Sequence, residues 1–192
     1  MKALACVVLL ASVTACGSSA ASPPPSTPTP AGTPSATASV WDIDPSFNAT
    51  DLAWIELMIP MDEQLLRVLE LGRKQAADPA VREFAGRVAA GHRAEVARFV
   101  ALRTRSRLPV RNPHQGHDMP GMMTEPEIVA LGKSTGAAFD QVFLENLEEH
   151  LEQSIVLARS IPKDGKDPEG KKLATAITTT RAAQLKELAA LR

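Results

Sequence analysis

Two Asp-Pro dipeptides, Asp78-Pro79 and Asp167-Pro168, stand 89 positions apart, each opening a long run of good helix formers. An aspartate can cap the free N–H groups of a first helical turn, and a proline just inside needs no N–H there and has its φ already set. The same offset, applied without gaps, pairs Asp51 with Asp140, Trp54 with Phe143, Met58 with Leu147, Gln64 with Gln153, Leu66 with Ile155, Ala85 with Ala174 and Val88 with Ile177. A chain that repeats itself in this way is built from two copies of one unit. Strand signals are nearly absent, so the unit is a helical hairpin.

Four long helices are predicted, over about 49–75, 78–104, 135–160 and from 167 nearly to the last residue. Pro60 inside the first removes one backbone hydrogen bond and is expected to kink it. A short turn makes the helices of each hairpin antiparallel neighbours, and the long segment 106–134 links the hairpins. Within that segment Thr124-Glu125-Pro126-Glu127 reads as a capping box opening a short helix. Val81, Ala85, Val88, Phe99 and Leu102 form an apolar stripe on the second helix; Phe143, Leu147, Leu157 and Ile161 do so on the third. The expected fold is all-α: a ferritin-like four-helix bundle of two duplicated hairpins with one long crossover, spanning 43–192.

Residues 1–15 read as an export signal, with Lys2 at the start and an apolar run from Ala3 to Val13 too short to span a bilayer. The run ends in Val13-Thr14-Ala15-Cys16, which resembles the bacterial lipobox and implies that the Cys16 thiol carries a lipid. Cys6 falls in the removed segment, so no thiol is left for a disulfide. Residues 16–42 are dominated by Pro, Ser, Thr, Ala and Gly and predict an extended stalk. The expected location is the outer face of the cell membrane, or a periplasm-facing membrane, held by the lipid. The chain has 21 basic and 22 acidic residues. Loss of Lys2 leaves the mature charge near −2, which gives no basic surface for nucleic acid.

Several polar residues interrupt the apolar stripes: Met61 beside Met58 and Leu65 on the first helix, His92 and Glu95 on the second, His150 on the third and Gln184 on the fourth. The repeat pairs Met61 with His150, His92 with Arg181 and Glu95 with Gln184. Each hairpin folds about its own turn, which brings positions near Asp62 level with His92 and positions near Leu151 level with Arg181. All four helices are therefore expected to contribute to one middle layer.

From Phe47 to Leu191 the chain resembles the bacterial domain-of-unknown-function family three-oh-five, exported proteins with a ferritin-like bundle, some linked to copper. The resembling stretches are Phe47 with Asp51, MIPMDEQLL at 58–66, HDMPGMM at 117–123, AAFDQVFLENLEEHLEQSI at 137–155, and the two Asp-Pro helix starts. Where the family has paired histidines, this chain has Met61-Asp62 and His150-Leu151, so three of four implied imidazoles are missing. Two readings of the layer follow. Met61, His92 and His150 form a remnant site for a soft metal, since thioether and imidazole suit copper. Alternatively, Arg181 pairs with Glu95 or Asp62 in a buried network and the histidines are only hydrogen-bonded.

The loop offers a second candidate site in His114, His117, Met119, Met122 and Met123, soft sulfur and borderline nitrogen ligands with no competing cysteine. The packing alternative is that Pro120-Gly121 makes a turn and the methionines fill the end of the core. No nucleophile with a supporting base, phosphate loop or zinc-protease motif is present. A di-iron oxidase would need paired carboxylates and Glu-x-x-His on facing helices, against a single His92-x-x-Glu95 here. The expected function is thus non-enzymatic: a membrane-tethered protein that binds a soft metal such as copper, or a metal-free envelope module that contacts another protein.

Overall fold

The computed structural model describes residues 42–192. The expected signal segment, the lipidated Cys16 and the stalk up to residue 41 lie outside the described residues. Six helices follow in order: α1 Ala49–Gln75, α2 Pro79–Ser106, α3 Glu125–Lys133, α4 Gly136–Ala158, α5 Ile161–Asp164 and α6 Pro168–Ala189. Among the described residues there is no strand, and no helix is long and apolar enough to cross a membrane.

The four long helices are α1, α2, α4 and α6. α1 packs along α2 and α4 along α6, while α1 against α4 and α2 against α6 complete the bundle. Local chemistry starts α1, α2, α3 and α6. Asp78 accepts from the Ala80 amide and Asp167 from the Gly170 amide, each followed by proline. Asn48 and Asp51 form a reciprocal capping box on α1, and Thr124 with Glu127 does the same on α3. α1 runs through Pro60 without a break. α4 stops at Ala158, short of the predicted 160, and the turn after it contains α5. Pro162 lacks an N–H, so it cannot extend the α4 ladder, and Ile161 is buried from α5 instead.

The repeat appears in space as a reciprocal contact. Asp51 on α1 accepts from the Lys166 and Asp167 amides, at 2.9 and 3.2 Å, just before α6. Asp140 on α4 accepts from the Ala77 and Asp78 amides, at 2.7 and 2.8 Å, just before α2. Donors and acceptors are related by the same 89-residue offset. Each hairpin therefore caps the other's second helix, the mutual pattern of a two-fold interface built inside one chain.

Two apolar clusters fill the interior. One gathers Leu65, Leu69, Phe84, Val88, Phe139, Phe143, Leu147 and their neighbours; the other gathers Trp54, Met58, Phe99, Leu102, Leu173, Ile177 and theirs. On α1, α2 and α6 the residues of the two clusters are separated along the chain by a buried polar residue, Asp62, His92 with Glu95, and Arg181, while on α4 His150 lies just before Leu151, the last residue of the first cluster. The polar layer thus divides the core in two.

Candidate metal centre

Asp62 from α1, His92 from α2 and His150 from α4 are fully buried, and one ligand atom from each lies within 4.8 Å of the others. The ring centroids of the two histidines are 5.4 Å apart. Each imidazole is held from behind. His92 Nδ1 lies 3.0 Å from the Val88 carbonyl one turn earlier, and His150 Nδ1 lies 3.0 Å from the Gly121 carbonyl. A carbonyl only accepts, so both Nδ1 atoms carry a proton and both rings turn Nε2 toward the layer.

Both Nε2 atoms face a carboxylate. His150 Nε2 is 3.5 Å and His92 Nε2 3.9 Å from Asp62 Oδ1. Both Asp62 oxygens, both Nε2 atoms and Arg181 Nε lack any hydrogen-bond partner. Buried polar groups are normally satisfied, so a cluster of orphans is a signal of its own. Burial, followed by the charge of Arg181 and by His150, holds the His92 pKa well below the usual histidine range, which keeps its ring neutral.

α6 supplies no ligand. Arg181, completely buried, directs both terminal nitrogens at Glu95, with Nη1 also 3.3 Å from Gln184 Oε1 and Nη2 4.0 Å from Asp62 Oδ1. Burial pushes the Glu95 carboxyl up and the guanidinium opposes this. Arg181 is therefore engaged by Glu95, with Asp62 at the edge of its reach.

The residues expected in the layer divide as follows. His92 and His150 meet. Asp62, read from the sequence as an ion-pair candidate for Arg181, lies 4.0 Å from its Nη2 and also faces the two imidazoles. Met61 is buried in the apolar cluster with Met58 and Phe99. The signal for Asp62 lay in the hairpin geometry that set it level with His92.

The loop sets four of its five candidates, His114, His117, Met122 and Met123, around one groove. His114 and His117 stack edge to face at 6.4 Å on the surface, lining a groove with Met122 and Met123. Met119 is half-buried, Met122 leans on one apolar cluster, and Met123 is buried in the other. Pro120-Gly121 forms the expected turn: the Met122 amide donates to the Met119 carbonyl, and Gly121 takes φ +77°. A side chain on Gly121 would meet Gln153 Cβ at 2.7 Å. The loop sits this close because its Gly121 carbonyl holds His150, its Gly121 amide donates to Glu149, and its Met123 amide donates to Gln64. This second-layer role of the heptapeptide was not visible in the sequence, since a backbone carbonyl carries no residue signature.

The chain is similar to crystal structures of proteins from two organisms. One, from Streptomyces coelicolor, is 22% identical, with 74% of this chain and 89% of that one covered at a TM-score of 0.67. A fragment from Deinococcus radiodurans is 17% identical, with 76% and 96% covered at 0.68. CopM in its Cu(II)-bound form is 22% identical, with 73% and 94% covered at 0.63. At these identities the likeness establishes the shared fold. No curated protein matches the chain. Residues 51–192 match the family described as a domain of unknown function, DUF305, and the chain belongs to that family.

Proposed function

We propose that this protein is an exported lipoprotein, tethered through Cys16, whose bundle sequesters a transition-metal ion, copper foremost, without catalysing a reaction. One observation carries the metal reading: two buried imidazoles, each fixed through Nδ1 by a backbone carbonyl, aim Nε2 at a buried carboxylate, and none of these atoms has a hydrogen-bond partner. Asp62, His92 and His150 would hold the ion, and the Val88 and Gly121 carbonyls would keep the rings oriented, as second-layer groups do at metal sites. Two imidazoles and a carboxylate suit first-row transition metals, and copper stands highest in their affinity order. The likeness to CopM, seen in Cu(II)-, Cu(I)- and Ag-bound forms, supports the same choice. Asp62, His92 and His150 are all fully buried, so a bound ion is enclosed by the bundle. Storage or transfer therefore fits the geometry better than turnover.

Copper titration of the whole protein against a competing chelator tests this. The expected result is one site tighter than about micromolar, weakened on the order of 100-fold or more by His92→Ala with His150→Ala. If wild type binds no tighter than the double variant, the buried site is not a metal site; the metal-free envelope module, contacting a partner protein, is then the better account. Replacement of Cys16 by Ser is expected to move the protein from the membrane fraction to the soluble exported fraction.

A further inference from the structure

The end of the bundle where the chain enters at Asp42 gathers the start of α1, the last turn of α2, the α5 turn and the first turn of α6. Contacts fix this grouping: Asn48 Nδ2 donates to the Asp164 carbonyl at 2.7 Å, Asp51 accepts from the Lys166 and Asp167 amides, and Arg105 pairs with Asp167. Most carboxylates here already have partners. Asp42 and Asp44 are held by Arg107, Asp167 by Arg105 and Glu169 by Lys172, while Asp51 is buried against backbone amides. The cations are in excess. Arg103, Arg159, Lys163 and Lys171 have no carboxylate within ion-pair distance among the described residues, Lys166 rests its ammonium on the Pro45 carbonyl, and against them stands the exposed Asp164. Because the whole chain has 21 basic and 22 acidic residues, this positive end is a local arrangement and not a consequence of overall charge.

These cations come from α2, from the turn around α5 and from α6, and they lie on the surface instead of converging in a buried cradle. Charge spread in this way fits an extended anionic surface better than a small anion. We propose that this end of the bundle docks on the headgroups of a bilayer containing anionic phospholipid. The place of the patch chooses the partner. The proposal rests on the reading of Cys16 as the lipid anchor: the tether, residues 17–41, then joins the bundle at the patch itself, and the end nearest the bilayer is the positive one. A tether also keeps the local concentration of the surface high, so contacts too weak to hold a free protein are enough. Each basic side chain close to such a surface contributes roughly a fivefold factor to partitioning, and salt screens it. Docking would stand the bundle on its α5 end and hold α3, which meets the last residue of α1 through Gln75 and the Leu131 carbonyl, away from the bilayer.

The test uses the whole chain with Cys16→Ser, so that no lipid confounds it, and sedimentation with vesicles of phosphatidylcholine alone or mixed with phosphatidylglycerol. Partitioning onto the anionic vesicles is expected to exceed that onto neutral ones by about tenfold or more at low salt, and to fall as salt rises. Lys163→Glu with Lys171→Glu should remove about tenfold or more of it. Lys133→Glu with Lys186→Glu makes the same change in net charge at the other end of the bundle and should move it by less than about twofold. Equal partitioning onto both kinds of vesicle overturns the proposal and assigns the patch to an acidic protein or polymer. Equal losses in the two double variants overturn it as well, since net charge and not this end would then be responsible. Should Lys163→Glu/Lys171→Glu lose its helical circular dichroism, Arg103→Gln with Arg159→Gln takes its place, with a loss of about fivefold or more expected and an unchanged partition fatal. A Cys16→Ser protein that binds anionic vesicles while the unaltered protein is not membrane-bound in cells would sink the anchor reading alone, a result distinct from a patch that ignores lipid.

Discussion

At the start of α2, two backbone amides of the first hairpin donate to Asp140 of the second; at the start of α6, two amides of the second donate to Asp51 of the first. Halfway along the bundle the same operation carries His92 onto Arg181, Met61 onto His150 and Asp62 onto Leu151. The ends of the two hairpins obey the repeat and their centres do not. A helix start has orphan N–H groups in both copies, so both must keep an acceptor. A central layer closes around one point, so the two copies are free to divide its contents. Here α1, α2 and α4 bring the candidate ligands, and α6 brings a charge.

The division of the centre gives the largest expected effect. Arg181→Leu leaves Glu95 buried without its partner and should cost about 3–5 kcal/mol in the metal-free protein. His92→Leu, at the equivalent position of the other hairpin, removes a group whose Nε2 is already unsatisfied and should cost about 1 kcal/mol or less. Urea unfolding of the two variants under chelator makes the comparison. Equal losses would mean that the layer is not partitioned between a structural pair and a ligand set.

The next effect concerns the ends, where the symmetry of contact conceals an asymmetry of burial. Asp51 is buried and accepts from three amides, those of Asn48, Lys166 and Asp167. Asp140 is half-buried and accepts from two. Asp51→Ala should therefore cost about 2–3 kcal/mol and Asp140→Ala about 1 kcal/mol. The reverse order would show that amide count and burial do not govern these caps.

Much of the architecture was legible in the sequence because it rests on local chemistry. Asp78-Pro79, Asp167-Pro168 and the Thr124–Glu127 box act within one helical turn, and each starts a helix where it was read. The reciprocal hold of Asp51 and Asp140 was only half legible: the offset matched the two aspartates, but their donors lie in the opposite hairpin. In the centre, the level of Asp62 with His92 followed from the hairpin, yet its orientation toward two imidazoles depends on how three helices pack. The pairing of Arg181 with Glu95, one of the two partners read for it, was legible because Glu95 lies on the facing stripe within reach of its fork. α5 went unread because a single turn between two breaks in helix has no periodicity to detect.

A smaller effect tests whether the loop serves the centre. Gly121→Ala must place a side chain against Gln153 at a positive φ, and should cost about 1–2 kcal/mol. Its more telling consequence is at His150, which would lose the carbonyl that fixes its tautomer. Metal affinity should fall about 10–100-fold, the usual effect of removing a second-layer partner. An intact affinity beside a lowered stability would confine the loop to packing.

The smallest effect separates the crossover from the bundle centre. Two surface ion pairs, Arg67–Glu125 and Arg111 with the half-buried Glu56, tie the crossover to α1. Each pair gives up side-chain entropy for an attraction weakened by water and salt, the opposite circumstance to Arg181–Glu95. The crossover has other anchors: Met123, Ile128 and Leu131 are buried in the larger apolar cluster, and the Met123 amide is fixed by Gln64. Arg67→Ala with Arg111→Ala should therefore leave the unfolding midpoint unchanged within error, at low salt and at high. A clear fall at low salt that vanishes at high salt would mean that charge at the surface holds the crossover down. The Gly121 carbonyl would then reach His150 by electrostatic attachment, and the occupancy of the metal site would vary with ionic strength.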